Sequence, residues 1–478
     1  MPDYGKIMTY RSAAGFGVRL DAANASSGSI ITPYYDSLLV KVTTWATHQE
    51  DCIKRMDRAL REFRIRGVKT NLVFLESLIN NKDFLEGNYN TNFVDTKKEL
   101  YDYNPQKDRA SKIVSYLGNI IVNGHPDISG RIHDNSTVEV QIPLSNNKKE
   151  TNNYVDDLKQ LGPEKFAKKI KETPYTLITD TTMRDAHQSL LATRMRTDDI
   201  VNIAEYYNEN LSNLFSLECW GGATFDTSMR FLKEDPWDRL ARLNSRAPNL
   251  LKQMLFRGSN AVGYKNYPDN VVKHFIQQSA EAGIDVFRVF DSLNLIDNMR
   301  VAIDEVRNQN KICEGTICYT NDVTDQNEKK YTLRYYLDLV KDLEKAGANI
   351  IAIKDMAGLA KPNAIKMLVK EIKQTTDLPI HFHTHDTSGT SSASVLAAIE
   401  EKVDIVDLAI DSMSGLTSQP ALGSVVSIMK QNHQDPKLDE EAIRTLSLYW
   451  EQVRQNYHAF ETDFKGGSSD VYLHQMPG

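Results

Sequence analysis

The sequence predicts an α/β chain: a (β/α)8 barrel preceded by an N-terminal α+β piece and a small central connector. Three observations predict it. Beyond residue 176, eight apolar runs rich in β-branched and aromatic residues recur over about 240 residues. Helix-patterned segments such as 332–346 and 363–375 lie between most of them, as parallel pairing requires. No glycine-rich phosphate loop follows the first run, which disfavours an open doubly wound sheet.

The chain begins with strand-like pieces at 6–10 and 15–20, then a turn rich in Ala, Ser and Gly, then 30–42 with Pro-Tyr-Tyr-Asp inside it. Segment 49–64 is helical by spacing: Ile53, Met56, Leu60 and Phe63 recur at three- and four-residue steps. This is an α+β unit over 1–97, too small to be a complete enzyme. Residues 98–175 turn polar, with Asn-Asn-Lys-Lys at 146–149, one apolar stretch at 113–122 and an amphipathic helix at 163–172. The barrel is expected over 176–445, its strands at 176–182, 213–222, 252–258, 285–292, 312–320, 348–355, 379–386 and 405–411; a helical extension starts at 446–478.

The chain has 478 residues, 41% of them hydrophobic, with a net charge of −7. That suffices for a sizeable core, and the absence of a basic block argues against nucleic acid as a partner. No run approaches the length of a membrane helix. Cys52, Cys219, Cys313 and Cys318 form no paired motif, pointing to a reduced, cytoplasmic compartment. The opening Met1-Pro-Asp-Tyr-Gly5 has neither signal nor transit peptide, and the chain reads as starting in the middle of something.

Barrel chemistry gathers at the C-terminal ends of the strands. The first ends in Asp180-Thr-Thr-Met-Arg184-Asp185-Ala-His187-Gln188, the sixth in Lys354-Asp355, the seventh in His381-Phe-His383-Thr-His385-Asp386. Residues two apart on a strand share a face. His383 and His385, with the Asp185 carboxylate from the first strand, make a set that leaves open positions on a divalent ion. His381 has the same parity; packed or hydrogen-bonded core histidines are the bland alternative. Lys354 closes the apolar run Ile350-Ile351-Ala352-Ile353, so its ammonium is paired, deprotonated or chemically changed. The options are a Schiff base, carboxylation by CO2 to give a metal-binding carboxylate, or an ion pair with Asp185 or Asp355. Arg184, Arg257 and Gln188 add donors around the metal, and guanidinium forks suit a carboxylate substrate. A rim salt bridge is the expectation for Arg288 rather than for Arg257. Asp226 and Tyr264 follow the second and third strands and are candidates for proton transfer.

Four stretches carry a resemblance: Asp180-Thr-Thr-Met-Arg-Asp-Ala-His-Gln-Ser189, Met254-Leu-Phe-Arg-Gly-Ser-Asn-Ala-Val-Gly-Tyr-Lys-Asn-Tyr-Pro-Asp269, Ile353-Lys-Asp-Met-Ala-Gly358 and His383-Thr-His-Asp-Thr-Ser-Gly389. They closely resemble the carboxyltransferase domain of the pyruvate carboxylase family. Gly15-Phe-Gly-Val-Arg-Leu-Asp21 and Pro33-Tyr-Tyr-Asp-Ser-Leu-Leu39 look like the C-terminal part of a biotin carboxylase domain. The resemblance implies that Asp185, His383, His385 and a carboxylated Lys354 hold Mn²⁺ or Zn²⁺. It implies that Arg257 and Gln188 bind pyruvate with Arg184 nearby, that Asp226 and Tyr264 help form a biotin pocket, and that Arg19 is the arginine beside biotin in the biotin carboxylase site. Residues 98–175 would belong to a tetramerisation region. Carboxybiotin would arrive on a biotinylated carrier domain and give up its CO2 to the pyruvate enolate, forming oxaloacetate. ATP would act at the biotin carboxylase domain, and the assembly would be a homo-oligomer, dimeric through barrels and tetrameric at full length.

The ATP-grasp core and an Ala-Met-Lys-Met biotinylation motif are missing from the sequence, which stops at His474-Gln-Met-Pro-Gly478, before the family's proton-relaying threonine. A piece of a longer polypeptide is therefore expected. Three other readings stand beside the first. An oxaloacetate decarboxylase or transcarboxylase subunit has a similar barrel, although the segment 1–97 speaks against it. A Schiff-base aldolase would use Lys354. A non-enzymatic assembly module would use the polar connector.

Overall fold

The computed structural model describes residues 3–23, 25–102, 137–144, 153–432, 434–461 and 466–474. The chain divides into two compact units, Met1–Ser136 and Thr137–Gly478. The apolar stretch 113–122 of the expected connector lies outside the described residues.

In the first unit three short antiparallel pairs form: Gly5–Lys6 with Ile30–Ile31, Thr9–Arg11 with Arg64–Arg66, and Val18–Ala22 with Val40–Thr44. The helix Gln49–Glu62 has Glu50 and Asp51 in its first turn and Arg61 in its last, charges that suit its dipole. Ala59 and Phe63 pack on Val18, Leu20, Val40 and Val42.

The second unit is a closed barrel of eight parallel strands. They are β1 Leu177–Asp180, β2 Ser216–Trp220, β3 Leu251–Phe256, β4 Val286–Val289, β5 Ile312–Cys318, β6 Ile350–Asp355, β7 Ile380–Thr384 and β8 Ile405–Leu408. The ring runs in chain order, and β8 pairs with β1 to close it. All eight apolar runs contain a strand, and every strand residue is buried. Most strands end earlier than their runs, because the last residues turn inward to build loops. After β1 the chain enters a wide π-type turn, Thr182–Ala186, a geometry common at functional sites. It buries Arg184 and Asp185 instead of extending the strand.

The helix expected at 163–172 is the second half of a longer element, Tyr154–Glu172. Gly162, at φ 72°, breaks it, and Pro163 starts the second half, where a missing N–H costs nothing. Asn153 caps the first half by accepting from the Asp156 N–H. Tyr154, Leu158, Phe166 and Ile170 pack on Leu177, Leu251, Val286, Ile312, Ile350 and Ile405, the first residues of six strands. This element therefore plugs the N-terminal end of the barrel. The post-barrel helix Glu440–Asn456 begins earlier than expected, capped by Asp439. Its Trp450 Nε1 donates to Tyr207 Oη at 2.9 Å. No helix among the described residues is long and apolar enough to cross a membrane.

Candidate active site

Strand alternation and the π-type turn bring four expected side chains together at the open end. Asp185, His383 and His385 each offer a ligand atom, all within 4.8 Å of one another. Asp185 Oδ2 lies 3.3 Å from Nε2 of both histidines. Lys354 Nζ lies 3.4 Å from His383 Nε2. All four are buried.

Burial opposes ionisation of Asp185, yet Arg184 and the two histidines hold its carboxyl well below the usual carboxylate range. Burial, reinforced by Lys354, pushes His383 well below its ordinary value, so its imidazole is neutral. Burial likewise lowers the Lys354 amine, while the Asp185 charge opposes the shift. A carboxylate, two imidazoles and a lysine with a weakened hold on its proton form a donor set that fits a divalent ion. Of the ion-pair options for Lys354, Asp355 is excluded. Its carboxylate faces the other way, accepting from the Leu359 and Ala360 N–H groups at 2.8 and 2.9 Å and from the Thr384 hydroxyl at 2.8 Å.

Arg184 extends one nitrogen to Asp185 Oδ1 at 2.9 Å and to Gln188 Oε1 at 3.2 Å, the other to Glu218 Oε1 at 2.5 Å. Arg257, half-buried at the end of β3, donates to the Gly263 carbonyl at 3.3 Å and lies 5.1 Å from the Tyr264 ring centroid. The pair Gly221-Gly222 makes room for both arginines. A Cβ on Gly221 would sit 3.4 Å from Arg184 Cδ, and one on Gly222 would sit 3.3 Å from Arg257 Cζ.

The remaining expected residues have other partners. Asp226 pairs with Arg230 at 3.2 Å. Tyr264 is 71% exposed. Arg19, on the first unit, pairs with Asp21 at 2.8 Å and is largely exposed. His381 does not join the cluster. It lies one inward position deeper, between Glu314 and Asp407, with Nε2 2.6 Å from Asp407 Oδ1. The rim salt bridge expected of Arg288 is instead fully interior, to Glu314 at 2.5 Å and to Asp407.

Four partners escaped the sequence reading: Glu218, Asp407, the Thr417 carbonyl and Gln419. Asp407 left a signal, an acid inside the buried run 405–411. Gln419 left only its place in the loop after β8.

Residues 1–96 match the family model described as biotin carboxylase C-terminal domain, and residues 271–449 match the HMGL-like model. The pyruvate carboxylase of Bacillus subtilis is 50% identical over 478 residues, covering 100% of this chain and 42% of that protein. The human mitochondrial pyruvate carboxylase is 47% identical over 480 residues, covering 100% and 41%. The chain thus spans less than half the length of these relatives. Among solved structures, the complete multifunctional pyruvate carboxylase from Rhizobium etli is 57% identical with a TM-score of 0.71, covering 100% of this chain and 47% of that one. The carboxyl transferase domain from the same organism, solved with pyruvate, is 55% identical with a TM-score of 0.71, covering 78% and 63%.

Proposed function

Because the chain belongs to the pyruvate carboxylase family along its whole length, we propose that its barrel performs the carboxyl-transfer half of a biotin-dependent carboxylation of pyruvate to oxaloacetate. The observation that supports this most is the convergence of Asp185, Lys354, His383 and His385 at one end of the barrel. On this reading these four hold a divalent ion, Mn²⁺ or Zn²⁺. When bound, the ion supplies a Lewis acid for the substrate carbonyl oxygen.

Lys354 contributes as its carboxylated form. CO2 adds to the neutral amine, a C–N bond forms and one N–H proton leaves, so the neutral amine becomes an anion. The depressed pKa of the buried amine favours that step. Arg257 offers a planar fork to the substrate carboxylate, with Gln188 as a second donor. Arg184, already tied to Asp185 and Glu218, holds positive charge where the enolate oxygen develops its negative charge. Asp226 and Tyr264 are assigned to the biotin pocket, and Arg19 to biotin in an ATP-dependent carboxylase site.

The domain reading is 1–97 for the biotin carboxylase part, 98–175 for the tetramerisation connector, 176–445 for the carboxyltransferase barrel and 446–478 for the start of its extension. The assembly is read as a homo-oligomer served by a biotinylated carrier domain. The cytoplasm is the compartment in keeping with four free cysteines. Metal analysis with pyruvate-binding calorimetry tests the proposal: one ion per chain and pyruvate binding that chelation abolishes are expected. A metal-loaded chain that does not bind pyruvate refutes it.

A further inference from the structure

The three groups of the candidate metal cluster are each held from behind by one stretch of chain. His383 turns Nε2 to the cluster, and its Nδ1 lies 2.6 Å from Asp407 Oδ2 on β8. His385 also turns Nε2 to the cluster, and its Nδ1 lies 2.6 Å from the Thr417 carbonyl oxygen. Asp185 Oδ2 accepts from Gln419 Nε2 at 2.9 Å. Gln419 Oε1 accepts from the Thr181 hydroxyl at 2.8 Å, which fixes the end of the amide that faces Asp185. Asp407 and Gln419 are fully buried.

The chemistry of these partners dictates the ring protons. A carbonyl oxygen only accepts, so His385 carries its proton on Nδ1. A carboxylate kept ionised demands the same of His383. Asp407 is kept ionised by Arg288, whose Nη2 reaches Oδ1 at 3.2 Å and whose Nη1 pairs with Oδ2. Both Nε2 lone pairs are thereby left free and aimed at one point.

We infer that Asp407 and Gln419, with the Thr417 carbonyl between them in sequence, form a positioning element for metal binding. Asp407 and Thr417 fix the two imidazole tautomers, and Gln419 fixes the rotation of the Asp185 carboxylate. The inference rests on the metal reading above and adds residues which that reading does not require.

The test uses the whole chain and two variants, Asp407→Asn and Gln419→Met. Mn²⁺ affinity is measured by chelator competition, the visible spectrum is recorded after Co²⁺ substitution, and the metal-free proteins are melted. Each variant is expected to lose about 10- to 100-fold in Mn²⁺ affinity and to shift its Co²⁺ bands, a signature that a merely structural residue would leave alone. If the wild-type chain takes up one ion and the folded variants bind within threefold of it with unchanged bands, the positioning role is overturned and the metal site survives. If the wild-type chain takes up no ion, both fall. Should Asp407→Asn not fold, because Arg288 has lost a counter-charge, Gln419→Met decides alone: it keeps the volume and removes the amide, both the donor to Asp185 and the acceptor for Thr181.

Discussion

Lys354 and His383 are register partners across the β6–β7 ladder, with Nζ 3.4 Å from Nε2. Two nitrogen bases at that separation do not both carry a proton's charge in a buried site, and burial lowers both. The proposed carboxylation of Lys354 would replace this repulsion with attraction to a shared ion. Lys354→Ala is expected to lose more metal affinity than the about 10- to 100-fold that an outer partner contributes. ¹³C-bicarbonate labelling of the wild-type chain should show a carbamate carbon that the variant lacks. Full metal occupancy in Lys354→Ala would return this residue to an electrostatic role.

Arg257→Lys keeps the charge but gives up the fork. A charged hydrogen bond is worth about 1.5–3 kcal/mol, so pyruvate should bind about 10- to 150-fold more weakly to the metal-loaded variant. Calorimetry reads this directly, and affinity within twofold of wild type would remove Arg257 from the substrate site.

Gly222→Ala tests the same arginine without touching it. The added methyl would sit 2.9 Å from the Val262 carbonyl oxygen and 3.3 Å from Arg257 Cζ. The carbonyl belongs to the backbone and cannot yield cheaply, so residue 222 itself must shift, and the guanidinium, crowded separately by the 3.3 Å contact, loses its present seat. Weaker pyruvate binding with an unchanged Mn²⁺ affinity is expected. Loss of both together would mean that the change is not confined to Arg257.

Asp180 sets a pH dependence of stability. Burial pushes its carboxyl up from 3.8 to about 6, against hydrogen bonds from Thr182. The folded chain therefore holds this proton more tightly than the unfolded one. The stabilisation is fully present below about pH 4 and is lost as pH rises through 6. Asp180→Asn has no such proton to lose. Its stability relative to wild type should climb between pH 4 and pH 7 and then level off, by at most about 3 kcal/mol. Urea unfolding of both proteins across that range gives the difference, and a pH-independent difference would contradict the assignment.

Phe166→Ala empties the centre of the plug beneath the barrel, where Phe166 stacks on Phe215 at 6.5 Å. A buried Phe-to-Ala change costs about 3–5 kcal/mol. A large drop in melting temperature is expected with Mn²⁺ affinity unchanged at low temperature, since the plug sits at the opposite end from the cluster.

The strands were legible because a strand buried on both faces must be apolar throughout. The candidate cluster was legible because motifs at strand ends bring reactive groups to one mouth. Depth was not legible. His381 and His383 share parity, but two residues along a strand is about 6.6 Å, enough to place one in the ion-paired interior with Arg288 and the other at the cluster. The first half of the plug, from Tyr154, was hidden by its polar surroundings and by Gly162-Pro163, which reads as a beginning. Gln419 and the Thr417 carbonyl were beyond reach, since one acts from a loop and the other through the main chain. Arg19 rests on the resemblance alone, whereas Asp226 and Tyr264 also follow from their place after the second and third strands; their partners in the fold are Asp21, Arg230 and Arg257.

The ring closes where β8 meets β1, and this ties the order of synthesis to the order of loading. Asp185 follows the first strand made, the histidines ride the seventh, and the residues behind them wait on the eighth. Contacts so distant in sequence form late in folding. A nascent chain that has not yet emerged past residue 419 can hold Asp185 and both imidazoles and still lack the grip that aims them. If the proposed ion binds, its uptake during refolding is a clock for the final joining of the circle: its rate should follow the last kinetic phase, while helix formation runs ahead of it.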